Sequence, residues 1–140
     1  MATPYSEIDD MFLSDISDST FFDYTEEERR EILDNLRNKS ITRFKACKNN
    51  LNDKDDVLRQ FNADLSDEEK LIIATIMRKY WMNDKMYNLM LIKQRMSNKD
   101  WRMASQAEHL LRLTVLAKEL DKEISQMIVD YTLYAFKVGG

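Results

Sequence analysis

Glycine is missing from every position between residues 5 and 138, and proline occurs once, at Pro4. Tight turns of sheet proteins rely on glycine for positive φ and on proline for a preset φ, so a chain without them is a poor candidate for a sandwich or barrel. The same absence removes any glycine loop that could cradle a phosphate. The two glycines present, Gly139 and Gly140, fall at the far end of the chain. The 140 residues fit one domain. With 44% hydrophobic and 33% charged residues, the composition suits a charged α-helical domain with its own core.

Common catalytic and ligand chemistries find little material. One cysteine, Cys47, excludes an internal disulfide and a cysteine-based zinc site. The one histidine, His109, has Ser105 and Leu113 at the i−4 and i+4 positions, so no helical metal pair forms around it. Asp53, Asp55, Asp56 and Asp64 lack the glycine and terminal glutamate of a calcium loop and read as loop acids. No pair among the 25 acidic residues is singled out for acid–base work. We therefore assign no catalytic, cofactor-binding or metal-ligating residue. No run of about 18 apolar residues is present, so no membrane span is expected. Residues 1–10 lack the basic start and apolar stretch of a signal peptide, which leads us to expect a protein made in the cytoplasm.

Charge is placed unevenly. Residues 1–35 carry eleven acids against two bases, Arg29 and Arg30, a net of −9; the remainder nets +5. Such asymmetry can steer an oriented contact. We expect neighbour contacts between Glu26, Glu27, Glu28 and Glu31 on one side and Arg37, Arg43 and Lys45 on the other. A pI near 5.1 argues against specific DNA binding, which needs a basic surface.

Helix signals are legible along the chain. Thr3 before Pro4 reads as an N-cap with proline at the first helical position, opening an amphipathic helix over about 4–17. Ser17–Asp23 reads as a polar break around Phe21 and Phe22. Thr25 with Glu28 forms a capping box, and the stripe Ile32, Leu33, Leu36, Ile41, Phe44, Cys47, Leu51 predicts a helix to about residue 50. Residues 52–65 form a connector anchored by Val57, Leu58, Phe61 and Leu65. Ser66 with Glu69 caps a broad-faced central helix, with a kink or break expected at Asn83-Asp84. Ser97 with Asp100 opens a last helix to about residue 135. In it, Leu110, Leu113, Ala117, Leu120, Ile124, Met127, Tyr131 and Tyr134 alternate in steps of three and four, the pattern of a helix packed along another at a shallow angle. The methionines and tryptophans read mainly as core. Overall, an all-α helical bundle is expected as one domain: an N-terminal helix and loop over 1–24, a helical core over 25–130, and an extended docking tail over 131–140. In that tail Tyr131, Tyr134, Phe136 and Val138 would meet a neighbour.

Two stretches carry a family resemblance. Phe61-Asn62-Ala63-Asp64-Leu65-Ser66-Asp67-Glu68-Glu69 leads into a Trp-containing helix, and Ser97-Asn98-Lys99-Asp100-Trp101 continues through Ser105, Ala107 and Leu110. Together, over about residues 57–135, they resemble the head–tail connector, or neck adaptor, proteins of tailed bacteriophages of Gram-positive hosts. The resemblance implies an α-helical virion protein, made in the host cytoplasm and housed in the neck. It would act as a ring subunit, commonly one of twelve, between a portal protein and a tail or stopper protein. DNA would pass the ring without specific binding, with no membrane, no cofactor and no catalysis. It matches patterns of caps and apolar positions, and residues 1–35 fall outside it. An alternative reading is a small cytoplasmic helical regulator or protein-binding module that dimerises through the Leu110–Tyr134 seam.

Overall fold

The computed structural model describes residues 1–16, 19–103 and 105–139; the side chains of residues 19, 20, 102, 103, 105, 106 and 135–139 lie outside that description. The fold is a mainly helical bundle with a long C-terminal helix. Its helices are α1 (Tyr5–Asp15), α2 (Glu26–Arg43), α3 (Asp67–Gln94), α4 (Asn98–Met103) and α5 (Ser105–Gly139), with a 3-10 turn over Ser19–Asp23. Helix α3 is central and packs against α1, α2 and α5. The breadth of its apolar face explains this: Ile72, Ile73, Ala74, Ile76 and Met77 are all fully buried, so three sides of the helix need partners.

The capping boxes form as the sequence predicts. Thr25 Oγ1 accepts from Glu28 N, whose carboxylate accepts from Thr25 N, and Ser66 and Glu69 do the same for α3. Ser97 Oγ accepts from Asp100 N at the start of α4. The last helix buries its three-and-four seam on α3: Ala117, Leu120, Ile124 and Tyr131 are buried and Leu110, Leu113 and Met127 half-buried. Glu69 bonds Tyr131 and Lys79 pairs with Asp121, so α3 and α5 run antiparallel as a hairpin. The buried part of the seam, which the regulator alternative would use to dimerise, thus packs within one chain, while Tyr134 at its end stays exposed.

Several boundaries differ from expectation. The molecule also holds a small antiparallel sheet of β1 (Thr3–Pro4), β3 (Gln60–Phe61) and β2 (Lys54–Asp55), in that order. Thr3 is thus not the cap of α1; Pro4 is. Thr3 Oγ1 instead donates to Ala63 O and accepts from Leu65 N, pinning the connector to the N-terminus. Helix α2 stops at Arg43 rather than near residue 50, because Phe44 turns (φ −85°, ψ 62°) to bury its ring edge-on against Tyr131. Helix α3 runs through Asn83-Asp84 without a break; Asn83 accepts from Lys79 one turn earlier, so its side chain does not compete with the backbone. The chain beyond Tyr131 is not an extended tail. Helix α5 continues to Gly139, since no glycine or proline interrupts it before that point.

Phe21 shows how the polar break near residue 20 serves the core. Its ring is buried edge-on against Trp81, which also meets Phe12. Its neighbour Phe22 faces out, 64% exposed.

Candidate functional site

The chain reverses direction between β2 and β3 without glycine. Arg59 takes the left-handed conformation (φ 55°) that a glycine would otherwise supply. Two interactions hold it there. Asp55 Oδ1 accepts from Val57 N and Leu58 N, and the Arg59 guanidinium makes a two-pronged bond to Asp34 at 2.7 and 3.2 Å. The reversal leaves Val57 and Leu58 exposed at its tip.

Arg59 belongs to a buried charge network under α1. Arg37 reaches Asp9 through both Nε and Nη2, at 3.2 and 2.6 Å, and Asp34 through Nη1 at 2.8 Å. Its guanidinium also lies 4.1 Å from the centre of the Tyr5 ring. Tyr5 donates to Asp56 from its hydroxyl. Burial and Asp56 together push the Tyr5 hydroxyl well above its ordinary pKa. Burial raises the Asp9 carboxyl despite Arg37 beside it. For Asp34, partial burial is outweighed by bonds from Arg59 and Arg37, which hold its carboxyl below the usual range.

Above this network lies an open groove of about 520 Å³ between α1, the 3-10 turn, the start of α2 and the β2–β3 reversal. Its apolar lining includes Tyr5, Leu13, Phe21, Phe22, Leu33 and Leu58. Glu26, Arg29 and Arg30 supply charge at the α2 side. Among the described residues neither Arg29 nor Arg30 has a carboxylate partner; Arg29 lies over the Phe22 ring at 5.9 Å.

A second polar cluster centres on buried Glu69 and Tyr131. Glu69 accepts from Cys47 Sγ, Tyr131 Oη and Asn49 Nδ2, besides closing its capping box; Tyr131 Oη also accepts from Lys48 N. Burial works against the Glu69 carboxylate, but these bonds outweigh it and lower its pKa. Burial and Glu69 push the Cys47 thiol up to about 12, so at neutral pH it is an inert thiol rather than a nucleophile. The arrangement braces the α2–α3–α5 junction.

The expected partner-binding residues separate into two groups. Glu26, Glu27, Glu28 and Glu31 are exposed on α2, Glu28 within its capping box, and Lys45 is exposed beyond it. Arg37 is buried, only 2% exposed, and committed to Asp9 and Asp34, so it is removed from any surface band. Arg43 is half-buried and pairs with Asp121 at 3.1 Å. Tyr131 is a core residue, whereas Tyr134 is 64% exposed. The side chains of Phe136 and Val138 lie outside the described residues. Sequence reasoning missed the groove because it forms between segments far apart in the chain. The two bases inside an acidic stretch, Arg29 and Arg30, were its one visible trace.

A further surface runs along the α3–α5 hairpin. Beyond the main core, α3 exposes Tyr87, Met90, Leu91 and Ile92, and α5 exposes Leu111, Val115 and Leu116. At the other end, α5 exposes Val129, Leu133 and Tyr134. Among the described residues, no helix is long and apolar enough to cross a membrane and no group of three His, Cys, Asp or Glu is placed to hold a metal ion. No protein-family model, curated protein sequence or solved structure matches this chain.

Proposed function

We propose that this chain is a structural subunit that acts by assembly, and that it serves as a head–tail connector in the neck of a tailed bacteriophage. In that role it forms a ring between the portal protein and a tail or stopper protein, and DNA passes through without specific binding. The assembling role rests on one observation: the distal half of the α3–α5 hairpin turns seven large apolar side chains outward, Tyr87, Met90, Leu91, Ile92, Leu111, Val115 and Leu116. A hairpin that needed only its own core would carry polar residues there, since large apolar surface on a free monomer mostly marks a docking face. The connector assignment rests on the resemblance of residues 57–135 to that family. Two different complementary surfaces on one subunit give a closed ring when the rotation between neighbours closes.

The test is electron microscopy of the purified chain mixed with the portal protein encoded in the same genome. A ring of this chain seated on the portal is the expected result. A genome without a portal gene, or a portal that leaves the chain monomeric and unbound, would overturn the connector reading. The alternative, a helical regulator or protein-binding module, would need a dimer contact other than the Leu110–Tyr131 seam, whose buried positions pack within one chain.

A further inference from the structure

We propose that the groove beside α1 receives the C-terminal end of α5 from a second copy of this chain. The inference rests on the assembling role proposed above and adds a contact separate from the exposed distal part of the α3–α5 hairpin. The receiving surface is apolar at Leu13, Phe22 and Leu58, and on its α2 side the two bases Arg29 and Arg30 outnumber the one acid, Glu26. Phe22 and Leu58 are about two-thirds exposed, and neither arginine is neutralised by a carboxylate among the described residues. The inserting surface is one side of α5, where Val129, Leu133 and Tyr134 stand exposed around Asp130. Residues at these spacings share a helix face. Asp130 is exposed and among the described residues its one bond is to Gln126 on the same helix, so its carboxylate keeps free lone pairs for a guanidinium. Apolar side chains around one acid thus match apolar side chains around two bases.

The two surfaces cannot meet within one molecule. Arg29 and Arg30 lie in the first turns of α2, while the α5 end is fixed to the far end of α2 by the Phe44–Tyr131 contact, 5.2 Å between ring centres. At 1.5 Å per residue, the intervening stretch of α2 holds them roughly 20 Å apart. Complementary patches at opposite ends of a rigid helix join one subunit to the next, head to tail. The contact also gives Arg29 and Arg30 a use inside an otherwise acidic segment, where Asp130 would offset part of their charge.

The test is sedimentation velocity of the full chain across a wide concentration range. Self-association is expected for the wild type. Asp130→Arg should weaken it by about tenfold or more, as should Leu133→Asp, and both should keep the wild-type helix content because the residues are exposed. Combining Asp130→Arg with Arg29→Asp and Arg30→Asp should restore association to near the wild-type level. A wild type that stays monomeric throughout would overturn the contact while leaving portal binding open. So would an Asp130→Arg variant that associates normally, or one that the groove reversals fail to rescue. Loss of portal binding on Arg29→Asp and Arg30→Asp, with self-association unchanged, would assign the groove to the portal instead and also overturn the contact.

Discussion

Replacing Arg37 by Met probes the buried charge network under the groove. The Arg37 side chain is 3% exposed and that of Asp9 is 10% exposed, with 2.6 Å between Nη2 and Oδ2. Met fills much of the same volume but leaves the Asp9 carboxylate buried without its cation. Breaking a buried pair from one side costs about 3–5 kcal/mol. The guanidinium over the Tyr5 ring adds to the loss, whereas Asp34 keeps its two bonds from Arg59. For a chain of this length the penalty amounts to a drop in Tm of about 10–15 °C. Adding Asp9→Leu removes the orphaned charge and should recover most of that loss, leaving the double variant within about 2 kcal/mol of wild type.

The pH dependence is a second signature of the same variant. Burial already raises the Asp9 carboxyl with Arg37 in place, and removing the cation raises it further. A raised carboxyl in the folded state destabilises it above that pKa and ceases to do so once the group is protonated. The penalty of Arg37→Met should therefore be full at pH 7.5 and shrink as pH falls towards 5. Urea denaturation followed by far-UV circular dichroism at both pH values measures this. Equal costs for the single and double variants, or a penalty independent of pH, would refute the reasoning.

Three further outcomes follow from the interior. At pH 8, Cys47 should react with a disulfide reagent at least about tenfold more slowly in the native protein than in denatured chain, since burial and Glu69 push its thiol up to about 12; the rate of thiol release measures this, and equal rates would refute the buried Glu69 contact. Glu69 contributes stability that is present above its ordinary pKa of 4.5 and lost as pH falls through its lowered folded value. Glu69→Gln should therefore cost about 2 kcal/mol at pH 7 and much less near pH 3, measured by urea titration. Truncation before Tyr131 should destabilise strongly, by removing the buried ring and leaving Lys48 N without its acceptor, whereas truncation after Tyr134 should leave Tm nearly unchanged; thermal melts separate the two.

The helical architecture was legible because its signals are local. Both full capping boxes involve residues three apart, and the α5 seam repeats within one helix, so each could be read without knowing what lay opposite. The N-terminal strand and the groove depend on residues far apart in the chain, such as Thr3 with Ala63 and Tyr5 with Asp56. The reversal was hidden further because Arg59 stands where a glycine would announce a turn. Arg37 looks like surface charge in its own helix because its partner Asp9 comes from another. Tyr131 fits its place in the three-and-four seam and not the tail, a choice the sequence leaves open because aromatic residues near a chain end look the same whether they dock on a neighbour or on Glu69 and Phe44.

The central claim is that this chain works by assembling into a ring on a portal. Imaging the purified protein mixed with the portal of its own genome tests it most directly. The account predicts a closed ring of this chain on one face of the portal, lost when Asp130→Arg breaks the contact between subunits. A monomeric chain that leaves the portal bare at every concentration would contradict it.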